Sequence, residues 1–150
     1  MNRMDEGLAF LLQYENIAWY EKGEVKILDR RIYPRKIHYV TCKTYREVKQ
    51  AIADMVTQSA GPYTAAGMGM ALAAYEVRKL SIEEQIQFLE KAAFEISHAR
   101  PTTINRMSMI TEACLSVAKE ALFKKEDPIH AIFQRTLDSL ERRYFRMSKV

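Results

Sequence analysis

The sequence predicts an α+β fold: a small antiparallel β-sheet (a hairpin plus one strand) followed by a mainly helical bundle. Three features predict it. Apolar residues alternate around a short glycine-containing turn in "NIAWYEKGEVKILDRR". From residue 44 the period changes to three and four, the spacing of one helical face. Capping patterns at Thr44/Glu47, Ser81/Glu84 and Asp127-Pro128 then punctuate the helical part.

The hairpin sets Ile17 and Trp19 before the "EKGE" turn and Val25 and Ile27 after it. Pro34 breaks the chain before a third strand in "KIHYVTC", with Ile37 and Tyr39 on one face. Thr44 and Glu47 open a helix whose stripe is Tyr45, Val48, Ile52 and Met55. A turn then leads into the small-residue helix "SAGPYTAAGMGMALAA". Ser81 and Glu84 open another helix, with Ile82, Ile86, Leu89, Ala93 and Ile96 inward. Pro101 disfavours helix at Arg100, so that helix should end there, and Thr102 or Thr103 should cap the next. Its inner face is Met107, Ile110, Cys114, Val117 and Ala121. The last helix starts at Asp127-Pro128 and buries Ile129, Phe133, Leu137, Leu140 and Tyr144.

With 150 residues, 48% of them hydrophobic and 28% charged, the chain has the make-up of a soluble domain with one core. No apolar run reaches the ~18 residues of a membrane span, so no membrane association is expected. The start, "MNRMDEGLAF", lacks a signal-peptide pattern, so a cytoplasmic location is expected. The net charge is +4, with acids and bases interspersed. The dense basic tail (Arg142, Arg143, Arg146, Lys149) reads as a solvated helix face, and no nucleic-acid partner is expected. An anionic small molecule suits such a protein. Cys42 and Cys114 lack partners at ligand spacing and read as core thiols. His38, His98 and His130 are scattered, so neither a metal nor a cofactor is expected.

Two segments have the chemistry to hold an anion. Ser59, Ala60 and Gly61 precede a helix whose first amides are free, a setting that favours phosphate or carboxylate. Gly67 and Gly69 equally suit close helix packing, which would leave the turn as only a turn. In "ARPTTIN", Arg100 stands between two helix ends. Its guanidinium either binds a phosphate or caps helix C-terminal carbonyls.

The order of four motifs resembles the amino-terminal domain of the methylthioribose-1-phosphate isomerase superfamily, which includes the initiation-factor-2B regulatory subunits. They are a tryptophan-containing hairpin followed by "LDRRIYP", the "REVKQAIADMV" helix, "AAGMGMALAA", and "ARPTTIN", similar to Arg-Pro-Thr-x-x-Asn. The resemblance spans residues 16 to 105. It implies an amino-terminal domain over residues 1–150, with a hairpin region about 16–43 and a helical region about 44–150. The family's catalytic cysteine and aspartate belong to a following Rossmann-like domain that this chain lacks, so these residues alone are expected to be inactive.

The resemblance further implies conversion of an aldose 1-phosphate to a ketose 1-phosphate, as in methionine salvage, on a phosphorylated pentose-like substrate without cofactor. It also implies a homo-oligomer when full length. Arg100 matches the substrate-contacting arginine, and Ser59, Ala60 and Gly61 match the substrate loop. That loop departs from the isomerases' Arg-Gly-Ala-Pro: Gln58 stands at the arginine and Ser59 at the glycine. The departure leaves room for a non-catalytic regulatory or assembly subunit.

Overall fold

A computed structural model of the chain describes residues 10–148; Lys149 of the basic tail lies outside them. Two short 3-10 turns, Phe10–Leu12 and Tyr14–Asn16, lead into strands β1 (Ala18–Glu21), β2 (Glu24–Leu28) and β3 (Tyr39–Cys42). The strands form one antiparallel sheet in the order β1-β2-β3. Lys22 and Gly23 make the hairpin turn, with φ of 50° and 83°. Positive φ at both central residues is what a two-residue turn needs to follow the strand twist. Ala18 pairs with Ile27, and Val25 pairs with Tyr20 and Cys42. Ala18, Val25, Ile27 and Cys42 are all buried on this face.

Trp19 pairs with Lys26 and therefore points to the other face. It is half-buried and meets Phe133 edge-on at 5.1 Å. Ile37 does not share a strand face with Tyr39. Pairing begins only at Tyr39, opposite Leu28, and Ile37 is 57% exposed.

Five α-helices follow: α1 (Tyr45–Ala53), α2 (Gly61–Glu76), α3 (Ile82–Ser97), α4 (Ile104–Phe123) and α5 (Pro128–Ser148). The expected caps form. Thr44 Oγ1 accepts from the Glu47 amide at 3.2 Å, and Ser81 Oγ accepts from the Glu84 amide at 3.2 Å. Asp127 Oδ1 accepts from the Ile129 amide at 2.9 Å, ahead of Pro128. Met55 departs from the expected α1 stripe. It takes a left-handed φ of 64° and is 45% exposed, while the Val56 amide closes back on the Ala51 carbonyl at 3.0 Å. That is a helix-terminating closure, so the stripe ends at Ile52.

The junction before α4 also departs from expectation. α3 stops at Ser97, and Pro101–Thr103 form a 3-10 turn. Thr103 occupies the N-cap position of α4 without a side-chain capping bond. Its own amide instead donates to the Arg100 carbonyl at 3.3 Å, so backbone closes the turn.

Helix α2 is the centre of the bundle and packs against α1, α3, α4, α5 and β1. Its residues from Thr64 to Ala74 are all buried, which explains a sequence without a polar face. Two glycines set the approach distances. A Cβ at Gly67 would meet the Thr136 side chain of α5, and one at Gly69 would lie 2.9 Å from Val48 Cγ1 of α1. Cys42 and Cys114 are buried, and burial pushes their thiols up to about 12 and about 11. Both are core residues. No helix among the described residues is long and apolar enough to cross a membrane.

Candidate functional site

Residues 54–60 carry the chain from α1 to α2. They are held by backbone contacts at both ends. Arg30, just beyond β2, donates its amide to the Val56 carbonyl at 2.7 Å, and the Gly61 amide donates to the Gln58 carbonyl at 3.0 Å. Thr57 is buried, whereas Ser59 is exposed with a left-handed φ of 61°. The Gln58 side-chain amide donates to the Met55 carbonyl at 3.1 Å. It is thus committed to its own loop.

Arg100 reaches this loop from the α3–α4 junction. Its Nε donates to the Ile52 carbonyl at 2.7 Å, and its Nη2 donates to the Thr57 carbonyl at 2.8 Å. One guanidinium therefore ties the end of α1 to the middle of the loop. Among the described residues no carboxylate pairs with it, and burial holds it below the ordinary arginine value. A half-buried cation without a counter-charge leaves the neighbourhood electropositive.

Thr57, Gln58, Ser59, Ala60 and Gly61 line one wall of a cavity of about 190 Å³. Asn16 and Ile17 contribute from before β1, Arg30 from beyond β2, and Leu140, Arg143 and Tyr144 from α5. The volume falls below the roughly 300–1,000 Å³ of pockets that enclose a whole drug-sized ligand, so it fits one end of a small molecule. No Asp, Glu, His or Cys is among the lining residues described. Ser59, Ala60 and Gly61 are brought together here, at the start of α2. Arg100 is not in the lining; it stands behind the loop that is.

Two lining residues escaped sequence reasoning. Arg30 and Arg31 are neighbours with opposite fates. Arg31 forks onto buried Asp29, its Nε donating to Oδ1 and its Nη2 to Oδ2, both at 2.9 Å. Arg30 turns to the cavity instead, and nothing in "LDRRIYP" tells the two apart. Arg143 lay within the tail read as a solvated face. Arg142 and Arg146 are indeed exposed, but Arg143 is half-buried. Its signal was present in the spacing: it follows Thr136 by seven residues and Leu140 by three, on the buried stripe. A second groove shares Thr64, Leu140 and Arg143 and adds Arg106, Arg135, Arg142 and Arg146.

No protein-family model matches the chain. It is 42% identical over 87 residues to the methylthioribose-1-phosphate isomerase of Natranaerobius thermophilus, covering 57% of this chain and 25% of that protein. It is 34% identical over 106 residues to the putative methylthioribose-1-phosphate isomerase of Methanocaldococcus jannaschii, covering 69% and 29%. Among solved structures it is similar to the translation initiation factor eIF-2B, subunit delta, from A. fulgidus. There the TM-score is 0.65 at 25% identity, covering 85% of this chain and 36% of that one.

The chain is related to the methylthioribose-1-phosphate isomerase and initiation-factor-2B-like superfamily. The 5-methylthioribose 1-phosphate isomerase of Pyrococcus horikoshii shares the fold, at a TM-score of 0.62 and 24% identity, covering 85% of this chain and 35% of that one. The chain spans about a quarter of the length of the Natranaerobius relative and about a third of the two solved chains. Three of these relatives are named as isomerases of a phosphorylated sugar, methylthioribose 1-phosphate, and one as an initiation-factor subunit.

Proposed function

We propose that this chain is the amino-terminal, substrate-cleft domain of an aldose 1-phosphate to ketose 1-phosphate isomerase-like protein. The observation that carries the reading is the loop Ser59–Gly61, which lines a cavity without acidic side chains among the described residues, at the start of a 16-residue helix. The positive end of the helix dipole there favours a phosphate, although the Gly61 amide is used on the Gln58 carbonyl and Pro62 has none to offer. Arg100 braces that loop through two backbone carbonyls and adds an uncompensated positive charge behind it. A pentose 1-phosphate would enter phosphate-first, with its sugar toward the open side.

The chemistry divides accordingly. The phosphate blocks the anomeric oxygen, so ring opening needs an acid and a base before the C1–C2 transfer. The described lining has no carboxylate, imidazole or thiol for that work, and its part in the reaction is to hold and orient the anion. The acid–base pair belongs, in this reading, to a following Rossmann-like domain. The protein works in the cytoplasm as a homo-oligomer.

The test is an amide-resolved NMR titration of the protein with ribose 1-phosphate, beside ribose. The expected result is saturable shifts of the residue 57–61 amides with the phosphate ester and none with the free sugar. No shifts at millimolar ligand, or equal shifts with both, would sink the reading. A second reading, a non-catalytic regulatory subunit, is favoured by Gln58 at the arginine position and its engagement with Met55. It expects partner binding and no turnover in an assembled protein that nevertheless binds the ester.

A further inference from the structure

We infer that Arg30 and Arg143 are the phosphate-binding side chains of this cleft, supplying from just beyond β2 and from α5 the charge that Gln58 does not. The inference rests on reading the cleft as a phosphate site and says which residues give it affinity.

Four observations converge on these two arginines. Both line the cavity next to the Thr57–Gly61 loop, from opposite parts of the chain. Both are half-buried, so each charge is partly withdrawn from solvent. Neither side chain has a hydrogen-bond or ion-pair partner among the described residues, in contrast with Arg31, which is clamped on Asp29. Among the described residues no carboxylate lines the cavity to neutralise them. Two half-buried like charges facing one small volume repel each other, and an oxyanion between them would turn that repulsion into attraction.

The alternative donors are less well placed, since Arg100 is not in the cavity lining. Gln58 is neutral and bonded to Met55, while Arg100 spends Nε and Nη2 on carbonyls. That leaves Arg100 as a positioning residue, acting through the loop. A phosphate monoester offers three terminal oxygens and close to two negative charges at pH 7. Planar guanidinium groups match it bidentately, which ammonium groups do not. Two guanidinium charges match the double charge of a phosphate monoester better than the single charge of a carboxylate, so the ligand class is a small phosphate monoester.

The experiment measures ribose 1-phosphate binding to the protein and its Arg143→Gln, Arg143→Lys, Arg30→Gln and Arg142→Gln variants by calorimetry. Arg142→Gln removes the same charge from an exposed neighbour outside the cavity lining. The expected losses are about tenfold to a hundredfold for Arg143→Gln and Arg30→Gln, the size of a charge-assisted pair. Arg143→Lys should recover part of the affinity, and Arg142→Gln should change it less than about threefold.

A measurement on the unaltered protein guards against misfolded variants: butanedione modification mapped by mass spectrometry. Ribose 1-phosphate should protect Arg30 and Arg143 but not Arg142. Binding that survives both glutamine variants, or protection spread evenly over all three arginines, overturns the inference and leaves the cleft reading intact. An unaltered protein that binds nothing overturns both.

Discussion

The Nε of Arg100 donates to the carbonyl of Ile52 at 2.7 Å, across a separation of 48 residues. Its Nη2 takes the Thr57 carbonyl at 2.8 Å, so one side chain serves two backbone acceptors, of which Ile52 also accepts from the Met55 amide at 3.2 Å. Arg100→Ala would leave both carbonyls without it, at a cost of about 1–3 kcal/mol. Lysine has the charge but not the fork, so Arg100→Lys should recover less than half of that loss. Urea unfolding of the three proteins checks this. Equal stability of Arg100→Lys and the unaltered protein would show that charge alone suffices.

Gly67 and Thr136 mark where α2 and α5 touch. A methyl group at Gly67 would run into the Thr136 side chain, so Gly67→Ala should destabilise by about 1–3 kcal/mol through overpacking. Thr136→Ala removes the colliding Oγ1 and Cγ2. The double variant should therefore be more stable than the sum of the single effects, a coupling that thermal or urea unfolding reads directly. Simple additivity would mean that the helices move apart freely.

Asp29 gives the fold an acid sensitivity. The Arg31 side chain holds its carboxyl below the usual carboxylate value, despite burial that acts the other way. A depressed folded value means that this stabilisation is present above the unfolded value of about 3.9 and is lost as pH falls through the folded one. Asp29→Asn should cost about 1–3 kcal/mol at pH 7. The gap to the unaltered protein should begin to shrink below about pH 4 and close only below the depressed folded value, where both carry a neutral side chain. Urea titrations at pH 7, 5 and 3 measure the gap, and a gap constant with pH refutes the assignment.

Ser59 sits in the left-handed region with a φ of 61°, which costs an ordinary side chain about 1–2 kcal/mol. Ser59→Gly relieves that strain but frees the unfolded chain, so stability should stay within about 0.5 kcal/mol. A β-branched residue is strained most, and Ser59→Val should lose about 1–2 kcal/mol. The comparison by thermal unfolding tests whether the loop keeps this conformation in solution. A stable Ser59→Val would indicate that it does not.

The caps at Thr44, Ser81 and Asp127 and most of the helical stripes they open were legible in the sequence, because each is a relation among residues a few positions apart. So were the hairpin and the placement of Ser59, Ala60 and Gly61 at a helix start. Ile82, expected inward, is 39% exposed, and Gln85 is buried in the first turns of α3 instead. Met55 and Ile37 misled because a stripe or alternation does not carry its own end. Their exposure follows from the left-handed closure at Met55 and from pairing that starts at Tyr39. Arg100 was legible as a junction arginine with two possible partners. Only packing decided that it grips carbonyls of α1 and its loop.

The cavity itself belongs to the tertiary structure. Its wall brings Asn16, Arg30, Ser59 and Arg143 together from four separated segments. Local pattern cannot encode that meeting, since Arg30 and Arg31 look alike in sequence and Arg143 looks like its solvated neighbours. Their roles were settled by which way the β2–β3 connection turns and by how α5 lies against α2, an approach that Gly67 permits by having no side chain to hold the helices apart.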